Sequence, residues 1–436
     1  MSLLGRRKPN EDERRRMLMC LLGAGASVET GPLTSMQMAH SFMTWAFPEL
    51  SVPGPNEASL PTKIPTSPDE LLLAIWNYLC VRLGRNPNIE EIAMACLAIH
   101  SDSRNLTSLT SVTKVCDVFE RVDPRHIEII ELDMLSEMLK VWLKVWDDRV
   151  DYLYPLIRLE SFYPSETLKI FTLNYDLSIE KACRKLGVIC SDGFTDGTLS
   201  LNSVPVFKDI GKDIFAENPI AVHLWKGDEQ SDDPRVEIFK LHGSANWFEH
   251  IPGAVDHANS YEIYHDVRAI TQGGLFSAHS CAGPLAKLNS ASGEVFFWAE
   301  TFKQNYFYFP RIVFGTTLKF LPAVPFIRMY ELLYRYLRRT VVCIVIGYSF
   351  QDEHVNAMLQ DAFNRRTTQV TMPLNLVLVD LNEQANPSKQ LGLSDPNRIW
   401  QIVGPTSKAL SHFSFYDLVS DLIKKGRSKL PRTVRV

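Results

Sequence analysis

The amino-acid sequence predicts an α/β protein: an open parallel sheet with helices on both of its faces and an inserted helical subdomain. Short apolar runs recur along the chain, and several are rich in β-branched residues, as buried strands of parallel sheets are. Helical patterns follow several of these runs. A strand followed by a helix, repeated along the chain, is typical of open α/β sheets.

Each predicted element rests on a local pattern in the sequence. The predicted strands are the apolar runs at 17–22, 168–173, 236–241, 311–314, 341–346 and 374–379. Helical periodicity follows three of these runs, at 35–46, 177–186 and 352–363. We therefore expect the sheet to be Rossmann-like.

The chain is expected to divide into three parts. Residues 1–66 are predicted to hold an N-terminal arm and the first strand, glycine loop and helix of the core. Residues 67–160 are dominated by helical periodicity and are predicted to be a helical subdomain inserted into the sheet. Residues 161–436 are expected to complete the core, with irregular insertions near 191–235 and 251–305, which are too long for simple loops.

The composition is that of an ordinary globular chain, with 436 residues, 45% hydrophobic and 22% charged. The net charge of −4 gives no electrostatic reason for nucleic acid along the surface, so direct nucleic-acid binding is not predicted. No apolar stretch approaches the roughly 20 residues of a membrane helix, so no membrane insertion is predicted. The eight scattered cysteines, without a C-x-x-C pair, indicate buried thiols in a reducing compartment and hence a cytoplasmic location.

A glycine loop directly follows the first predicted strand and consists of Gly23, Ala24, Gly25, Ala26 and Ser27. Glycines there allow the backbone to approach a pyrophosphate, whose charge would be met by N–H groups and the following helix. Alone, the motif fits a tight turn without a ligand equally well. The dinucleotide fingerprint G-x-G-x-x-G would need glycine where Val28 stands, which disfavours a dehydrogenase-type site.

Polar residues follow the next two predicted strands. Asn174 and Asp176 follow the strand at 168–173, at the edge where open sheets bind ligands. Their spacing alone favours a simpler role, the capping of the helix that begins near Leu177. His242 follows the strand at 236–241 and is a candidate base or hydrogen-bond partner, although a lone histidine is more often structural.

The last two predicted strands also end in candidate binding residues. Gly347 permits close approach of a ligand and Ser349 offers a hydroxyl, whereas Asp352 just beyond them fits a helix cap. Asp380 and Asn382 are candidates for contacts to an adenosine ribose or adenine edge. A polar strand end without a ligand explains these two residues at least as well.

Taken in order, the strand-end motifs G-A-G-A-S, L-N-Y-D, K-L-H-G-S and I-G-Y-S-F-x-D-E-H resemble the sirtuin-like domains of bacterial anti-phage defence proteins, a branch of the sirtuin superfamily. The segment 315–319, G-T-T-L-K, looks like a further element of the pattern. The resemblance covers the core at 17–31, 169–180, 237–247 and 311–380 and leaves the helical insertion, the irregular segments and the tail unmatched.

The resemblance implies an NAD-consuming site with NAD as the substrate. It implies that Asn174 and His242 form the catalytic pair, with Asn174 orienting a water and His242 contacting the ribose hydroxyls or acting as general base. By analogy with the Asn-x-Asp of deacetylating sirtuins, Asp176 would hold the nicotinamide carboxamide. The glycine loop would hold the dinucleotide phosphates. The implied activity is an NAD glycohydrolase (NADase) that releases nicotinamide and ADP-ribose.

Two departures from the deacetylating sirtuins narrow the expected chemistry. Those enzymes carry two C-x-x-C pairs for structural zinc after the histidine region, whereas here only Cys281 lies between His242 and Val341. Gly31-Pro32-Leu33-Thr34 stands where their glycine loop continues G-I-P-D-F-R. We therefore expect water rather than acyl-lysine as the acceptor, and no metal.

The family's behaviour also implies a biological setting. It implies an NAD-depleting effector of abortive infection, whose basal activity is low and is relieved by homo-oligomerisation, a partner ATPase or another defence-system subunit. Other possibilities stay open on the sequence alone: a non-catalytic NAD or nucleotide sensor within a larger assembly, an NAD-dependent deacylase or ADP-ribosyltransferase, and an interaction scaffold.

Overall fold

The computed structural model describes residues 17–49, 51–100, 119, 121–137, 142, 145, 147–162, 167–193, 235–249, 326–364, 373–383, 389 and 391–436, together with short strands between 199 and 312. Its strands are β1 Met17–Leu22, β2 Leu168–Thr172, β3 Cys190–Ser191, β4 Leu199–Leu201, β5 Pro205–Asp209, β6 Lys212–Phe215, β7 Ile220–Leu224, β8 Val236–Lys240, β9 Gly243–Glu249, β10 Leu285–Asn289, β11 Pro310–Ile312, β12 Thr340–Ile346, β13 Asn375–Asp380, β14 Ile399–Val403 and β15 Thr433–Arg435.

Its α-helices are α1 Ser35–Ala46, α2 Pro68–Leu83, α3 Ile89–His100, α4 Pro124–Glu137, α5 Tyr154–Ile157, α6 Ser178–Leu186, α7 Phe326–Leu337, α8 Glu353–Asn364, α9 Thr406–Ser411 and α10 Phe413–Lys425. None of the helices that the structure describes is long and apolar enough to cross a membrane.

The main sheet has eight strands in the order β15-β14-β13-β12-β1-β2-β8-β3, and all its strand pairs are parallel. From β1 the chain proceeds outward through β2 to β8, then returns to β12 on the other side of β1 and proceeds outward again. The order of the strands therefore reverses between β1 and β12, as at the topological switch point of doubly wound folds. The predicted Rossmann-like open parallel sheet is confirmed.

Five of the six predicted strands lie in this sheet, and the sixth prediction needs correction. Residues 311 and 312 of the run predicted at 311–314 belong to β11, which pairs antiparallel with β9 in a second sheet of order β11-β9-β10-β7-β4, and residues 313 and 314 lie outside the described residues. A short apolar run does not reveal whether its partners are parallel or antiparallel. The structure also adds β14 and β15 beyond the strand predicted as the last.

Helices cover both faces of the main sheet. Alternate residues of β1 enter two separate cores, with Met19 and Leu21 facing one and Leu18 and Cys20 facing the other. Helices α1, α2, α3, α4, α7 and α8 contribute to the first core, and α5, α6, α9 and α10 contribute to the second. Because every residue of β1 is buried, the strand is apolar throughout.

The stretch 67–160 contributes to both faces. Helices α2, α3 and α4 share the first core with Phe171 of β2 and Leu241. Leu153, Leu156 and Leu159 belong to the second core. The described parts of this stretch therefore share their hydrophobic cores with the sheet that carries the strand-end motifs.

The cysteines provide a test of the core. Among the six that the structure describes, Cys20, Cys80, Cys96, Cys183 and Cys343 are buried and Cys190 is half-buried, whereas Cys116 and Cys281 lie outside the described residues. The expectation of buried thiols is confirmed for those five.

Burial raises the pKa of Cys343 to about 12, so its thiol stays protonated and unreactive near pH 8. We expect iodoacetamide at pH 8 to modify Cys190 in the native protein and Cys343 only after unfolding, as measured by peptide mass spectrometry. Native labelling of Cys343 at the rate of Cys190 would contradict the core described here.

Candidate functional site

The glycine loop after β1 contacts the turn after β12. The N–H of Gly23 donates to the carbonyl of Ile346 at 2.9 Å, and the N–H of Gly25 donates to the carbonyl of Gly347 at 3.0 Å. Because β1 and β12 are neighbouring parallel strands, both turns lie at the carboxyl edge of the sheet, at its switch point.

The glycines at this contact have a steric reason. Gly347 has a φ of +58°, and a Cβ there would lie 2.4 Å from the Ala26 nitrogen and from the Gly25 carbonyl carbon. A Cβ on Gly23 would lie 2.6 Å from the Gly347 carbonyl oxygen. The sequence indicated close approach by a ligand, but within the fold these glycines already allow two backbone turns to approach each other.

The loop uses most of its own backbone donors. Besides Gly23 and Gly25, the N–H groups of Ala26 and Ser27 donate to the carbonyls of Gly23 and Ala24 at 2.9 and 3.1 Å. Ala24 is the exposed residue of the five and forms the tip of the loop.

Asn174 links the end of β2 to the glycine loop. Its Nδ2 group donates to the Gly23 carbonyl at 2.9 Å and to the Ser27 hydroxyl at 2.8 Å, and its own N–H donates to Thr172 Oγ1 at 3.0 Å. Asn174 and Ser27 are both buried. The side chain is therefore fixed by the loop and does not cap α6.

Asp176 lies one residue before Leu177, the N-cap residue of α6, and contacts the start of that helix. Its Oδ1 accepts the N–H of Ser178, the first residue of α6, at 2.9 Å. Lys240 at the end of β8 donates from Nζ to the carbonyl of Asp176 and forms an ion pair with Glu180 at 2.9 Å. The backbone turn that carries Asn174 and Asp176 is thus held from the neighbouring strand.

His242 lies in the two-residue connection between β8 of the main sheet and β9 of the second sheet. Its Nε2 atom lies 3.1 Å from Oδ2 of Asp352, and both side chains are only 4% exposed. The ring centroids of His242 and Tyr175 are 6.2 Å apart. The imidazole is therefore held between the turn after β2 and the turn after β12.

Asp352 is fixed by the helix that it caps. Its Oδ1 accepts the N–H groups of His354 and Val355 at 3.1 and 3.2 Å, in the first turn of α8. Phe350, two residues earlier, is the one non-glycine residue with a positive φ, +56°, among those described. Asn356 donates to the Phe350 carbonyl at 2.8 Å and so braces this conformation.

These contacts close a ring over the carboxyl edge of four strands. The glycine loop contacts Gly347 and Asn174, the chain continues from Asn174 to Tyr175 beside His242, and His242 contacts Asp352 beyond Gly347. Strands β8 and β12 are three strand spacings apart, or about 14 Å. Their turns must therefore extend above β1 and β2 to bring His242 and Asp352 into contact.

Buried tyrosines line the same region as neutral hydroxyl groups. Burial raises the pKa of Tyr175 and Tyr330 well above the usual range, and the carboxylates of Glu90 and Asp352 raise it further. Burial and Asp352 likewise raise the pKa of Tyr348. These phenols therefore stay protonated near neutral pH. Glu90 lies on α3, so the helical stretch 67–160 contributes a carboxylate to the electrostatics of the site.

The other predicted binding residues lie at the periphery of this ring. Ser349 and Asn382 are exposed, and Asp380 is half-buried and accepts the N–H of Asn382 at 3.2 Å. The N–H of Gly347 donates to the carbonyl of Val379, which places the end of β13 beside the ring. Asn174 and His242 are thus brought to one ring, whereas Ser349, Asp380 and Asn382 form an accessible border on the β13 side.

The main addition to the predicted site is Asp352. From sequence it fitted a helix cap, and in the structure it is both the cap of α8 and the partner of His242. The position of Asp352 in the sequence was the signal that could have identified it, because Asp352 follows a buried strand and so lies at the same sheet edge as Asn174 and His242. Among the residues that the structure describes, no group of three or more His, Cys, Asp or Glu could hold a metal ion.

No protein-family profile and no curated protein matches the chain. Comparison with solved structures returns Sir2 enzymes. A structure on the mechanism and regulation of Sir2 enzymes is 12% identical over 97% of this chain and 100% of that one, with a TM-score of 0.33. A mutant Sir2 homologue with 2′-O-acetyl ADP ribose is 12% identical over 95% of both chains, with a TM-score of 0.36. Sir2 bound to an acetylated peptide is 10% identical over 95% of this chain and 94% of that one, with a TM-score of 0.33. At such identities and scores, these likenesses assign no activity to the chain.

Proposed function

We propose that this chain is an NAD glycohydrolase that cleaves the nicotinamide-ribose bond. One observation supports this most: the amide of Asn174 contacts the glycine loop at the switch point of the sheet, and the imidazole of His242 belongs to the same ring of contacts. Dinucleotides bind doubly wound sheets at this position. The family resemblance of the motifs adds NAD as the dinucleotide.

The proposed position of NAD follows the carboxyl edge. The diphosphate would approach the tip of the glycine loop at Ala24, with Ser349 as a hydroxyl donor. The adenosine end would extend toward Asp380 and Asn382 at the end of β13, whose side chains offer partners for ribose hydroxyls. The nicotinamide end would then lie toward β2 and β8.

The proposed reaction consumes one water and forms nicotinamide, ADP-ribose and a proton. The bond between the ribose C1′ and the ring nitrogen breaks, and its electron pair leaves with nicotinamide, whose nitrogen was cationic in NAD. The water oxygen bonds to C1′, and its proton passes to His242 or to solvent. No acid is required for the leaving group, so the site does not need a pair of carboxylates.

The residues have separate roles in this proposal. Asn174 would orient the water, and the loop contacts of its amide fix the side chain in advance. His242 would accept the proton or bind the ribose hydroxyls. Asp176 would hold the carboxamide, a role that competes with its contact to Ser178.

We place this activity in abortive infection, as an NAD-depleting effector that is activated by homo-oligomerisation or by a defence-system partner such as an ATPase. The internally bonded glycine loop supports low basal activity, because four of its five N–H groups already donate to backbone carbonyls. Titration of protein concentration against specific activity tests this part. A specific activity that is high and independent of concentration would contradict activation by assembly.

The deciding experiment is incubation of the purified chain with NAD, with chromatographic measurement of nicotinamide and ADP-ribose and mass determination of the assembly in the same sample. We expect both products in equal amounts, and none with His242→Ala. A parallel sample with an acetylated lysine peptide tests the deacylase alternative. NAD loss that requires the peptide and yields an acetylated ADP-ribose would overturn hydrolysis in favour of deacylation, and NAD binding without turnover in any assembly state would favour a sensor.

A further inference from the structure

We propose that Asp352 is a positioning residue for His242, with its two carboxylate oxygens assigned to separate tasks. Oδ1 fixes the first turn of α8, and Oδ2 holds Nε2 of the imidazole at 3.1 Å. The role in turnover rests on the proposed NAD hydrolysis, whereas the pairing itself rests on the geometry alone.

Contact with an ionised carboxylate selects the nitrogen of the neutral imidazole that carries the proton. An ionised carboxylate only accepts hydrogen bonds, so the hydrogen on the ring must be on Nε2 to donate to Oδ2. In the neutral imidazole, Nδ1 is then the basic nitrogen. Asp352 thereby selects Nδ1 as the atom through which His242 accepts a proton or binds a ribose hydroxyl.

The surroundings of Asp352 are built to hold it in place. The turn from Gly347 to Asp352 contains the positive φ of Phe350, a conformation that L-residues adopt at a cost. Asn356 of α8 donates to the Phe350 carbonyl, and the Tyr348 hydroxyl lies 2.9 Å from Asn356 Oδ1 and 3.1 Å from the Asp352 carbonyl. A helix cap alone would not require this bracing, because aspartates cap helices from ordinary extended conformations.

Asp352→Asn separates the two tasks. Asparagine caps helices as well as aspartate, so its Oδ1 would keep the contacts to His354 and Val355. Its Nδ2 group would then face His242 Nε2 as a donor, and the imidazole of His242 would have to carry its proton on Nδ1 instead. The variant therefore preserves the fold and reverses the tautomer.

We expect Asp352→Asn to lower kcat for NAD by about 10²-fold or more, with a much smaller change in KM. The melting temperature should change by less than about 2 °C. The matched control is Asp395→Asn, because Asp395 caps the short 3₁₀ helix Pro396–Arg398, which precedes β14, by accepting the Asn397 N–H at 3.0 Å. This control should retain the wild-type kcat. An Asp352→Asn enzyme with kcat within twofold of wild type would overturn the positioning role.

A spectroscopic measurement tests the pairing without turnover. In protein labelled with ¹⁵N-histidine, the nitrogen shifts of His242, assigned by their loss in His242→Ala, report which ring nitrogen is protonated. We expect Nε2–H in the wild type and Nδ1–H in Asp352→Asn. Identical His242 shifts in both would overturn the inference. The expected exchange in a protein without NAD turnover would support the pairing and count against only the proposed hydrolysis.

Discussion

Asn174→Ala should reduce NAD hydrolysis by about 10²–10³-fold, the scale on which removal of one preorganised polar group acts in an active site. Asn174 lies between β2 and the glycine loop, and its amide contacts both Gly23 and Ser27. The substitution removes the group proposed to orient the water and also the contact that holds it in place. The measurement is the initial rate of nicotinamide release at saturating NAD.

The matched control is Asn375→Ala. Asn375 is also buried, and its Nδ2 donates to the carbonyls of Val341 and Pro373 at 3.2 and 3.1 Å. It lies at the amino end of β13, on the edge of the sheet opposite to the ring. Both variants should lose about 1–3 kcal/mol of unfolding free energy, because buried partners lose hydrogen bonds. Only Asn174→Ala should lose activity, and equal losses of activity would refute a specific role for Asn174.

Gly347→Ala should have the largest effect on folding. Alanine at a φ of +58° costs about 1–2 kcal/mol, and overpacking against a fixed neighbour costs a further 1–3 kcal/mol, in round figures. The Cβ would lie 2.4 Å from backbone atoms of Gly25 and Ala26, which cannot rotate away as a side chain does. Urea denaturation should therefore show a loss of about 2–5 kcal/mol, together with loss of NAD hydrolysis.

Gly187→Ala isolates the steric part of this effect. Gly187 ends α6 with a φ of +66°, and a Cβ there would meet nothing within 4 Å. Its substitution should cost only the conformational strain of about 1–2 kcal/mol and leave NAD hydrolysis unchanged. An equal loss of unfolding free energy in Gly347→Ala and Gly187→Ala would contradict the close steric contact described between the glycine loop and the turn at Gly347.

The central strands could be predicted because burial on both faces makes them apolar throughout. The run at 17–22 matches β1 at both ends, and all six of its residues are buried. In a parallel sheet the carboxyl ends share one edge, so the location of Asn174 and His242 at the same edge followed from their places after β2 and β8. These residues share one edge because the strands of the sheet are parallel. The alternation of strands and helices in the sequence already predicted a parallel sheet.

Contacts between distant turns could not be predicted in this way. The pairing of His242 with Asp352 depends on how far two turns extend above β1 and β2, and no local pattern records that distance. From the sequence, Asp352 could therefore not be distinguished from a residue that only caps a helix. The glycines could likewise not be distinguished from those of a loop that binds a ligand. β15 was missed because its three residues lie among basic residues and follow a proline, without the apolar run of a central strand.

The pairing of β1 with β12 has a consequence for synthesis of the chain. β1 is made more than 300 residues before one of its two neighbours in the sheet, which is not made until residues 340–346. Until then a wholly apolar strand has an open edge, which is a template for aggregation. We expect nascent chains to depend on chaperones and to fold late. Because the ring also needs Gly347 and Asp352, a nascent chain that ends before these residues would lack the proposed NAD site, and the proposed hydrolysis could not begin until then.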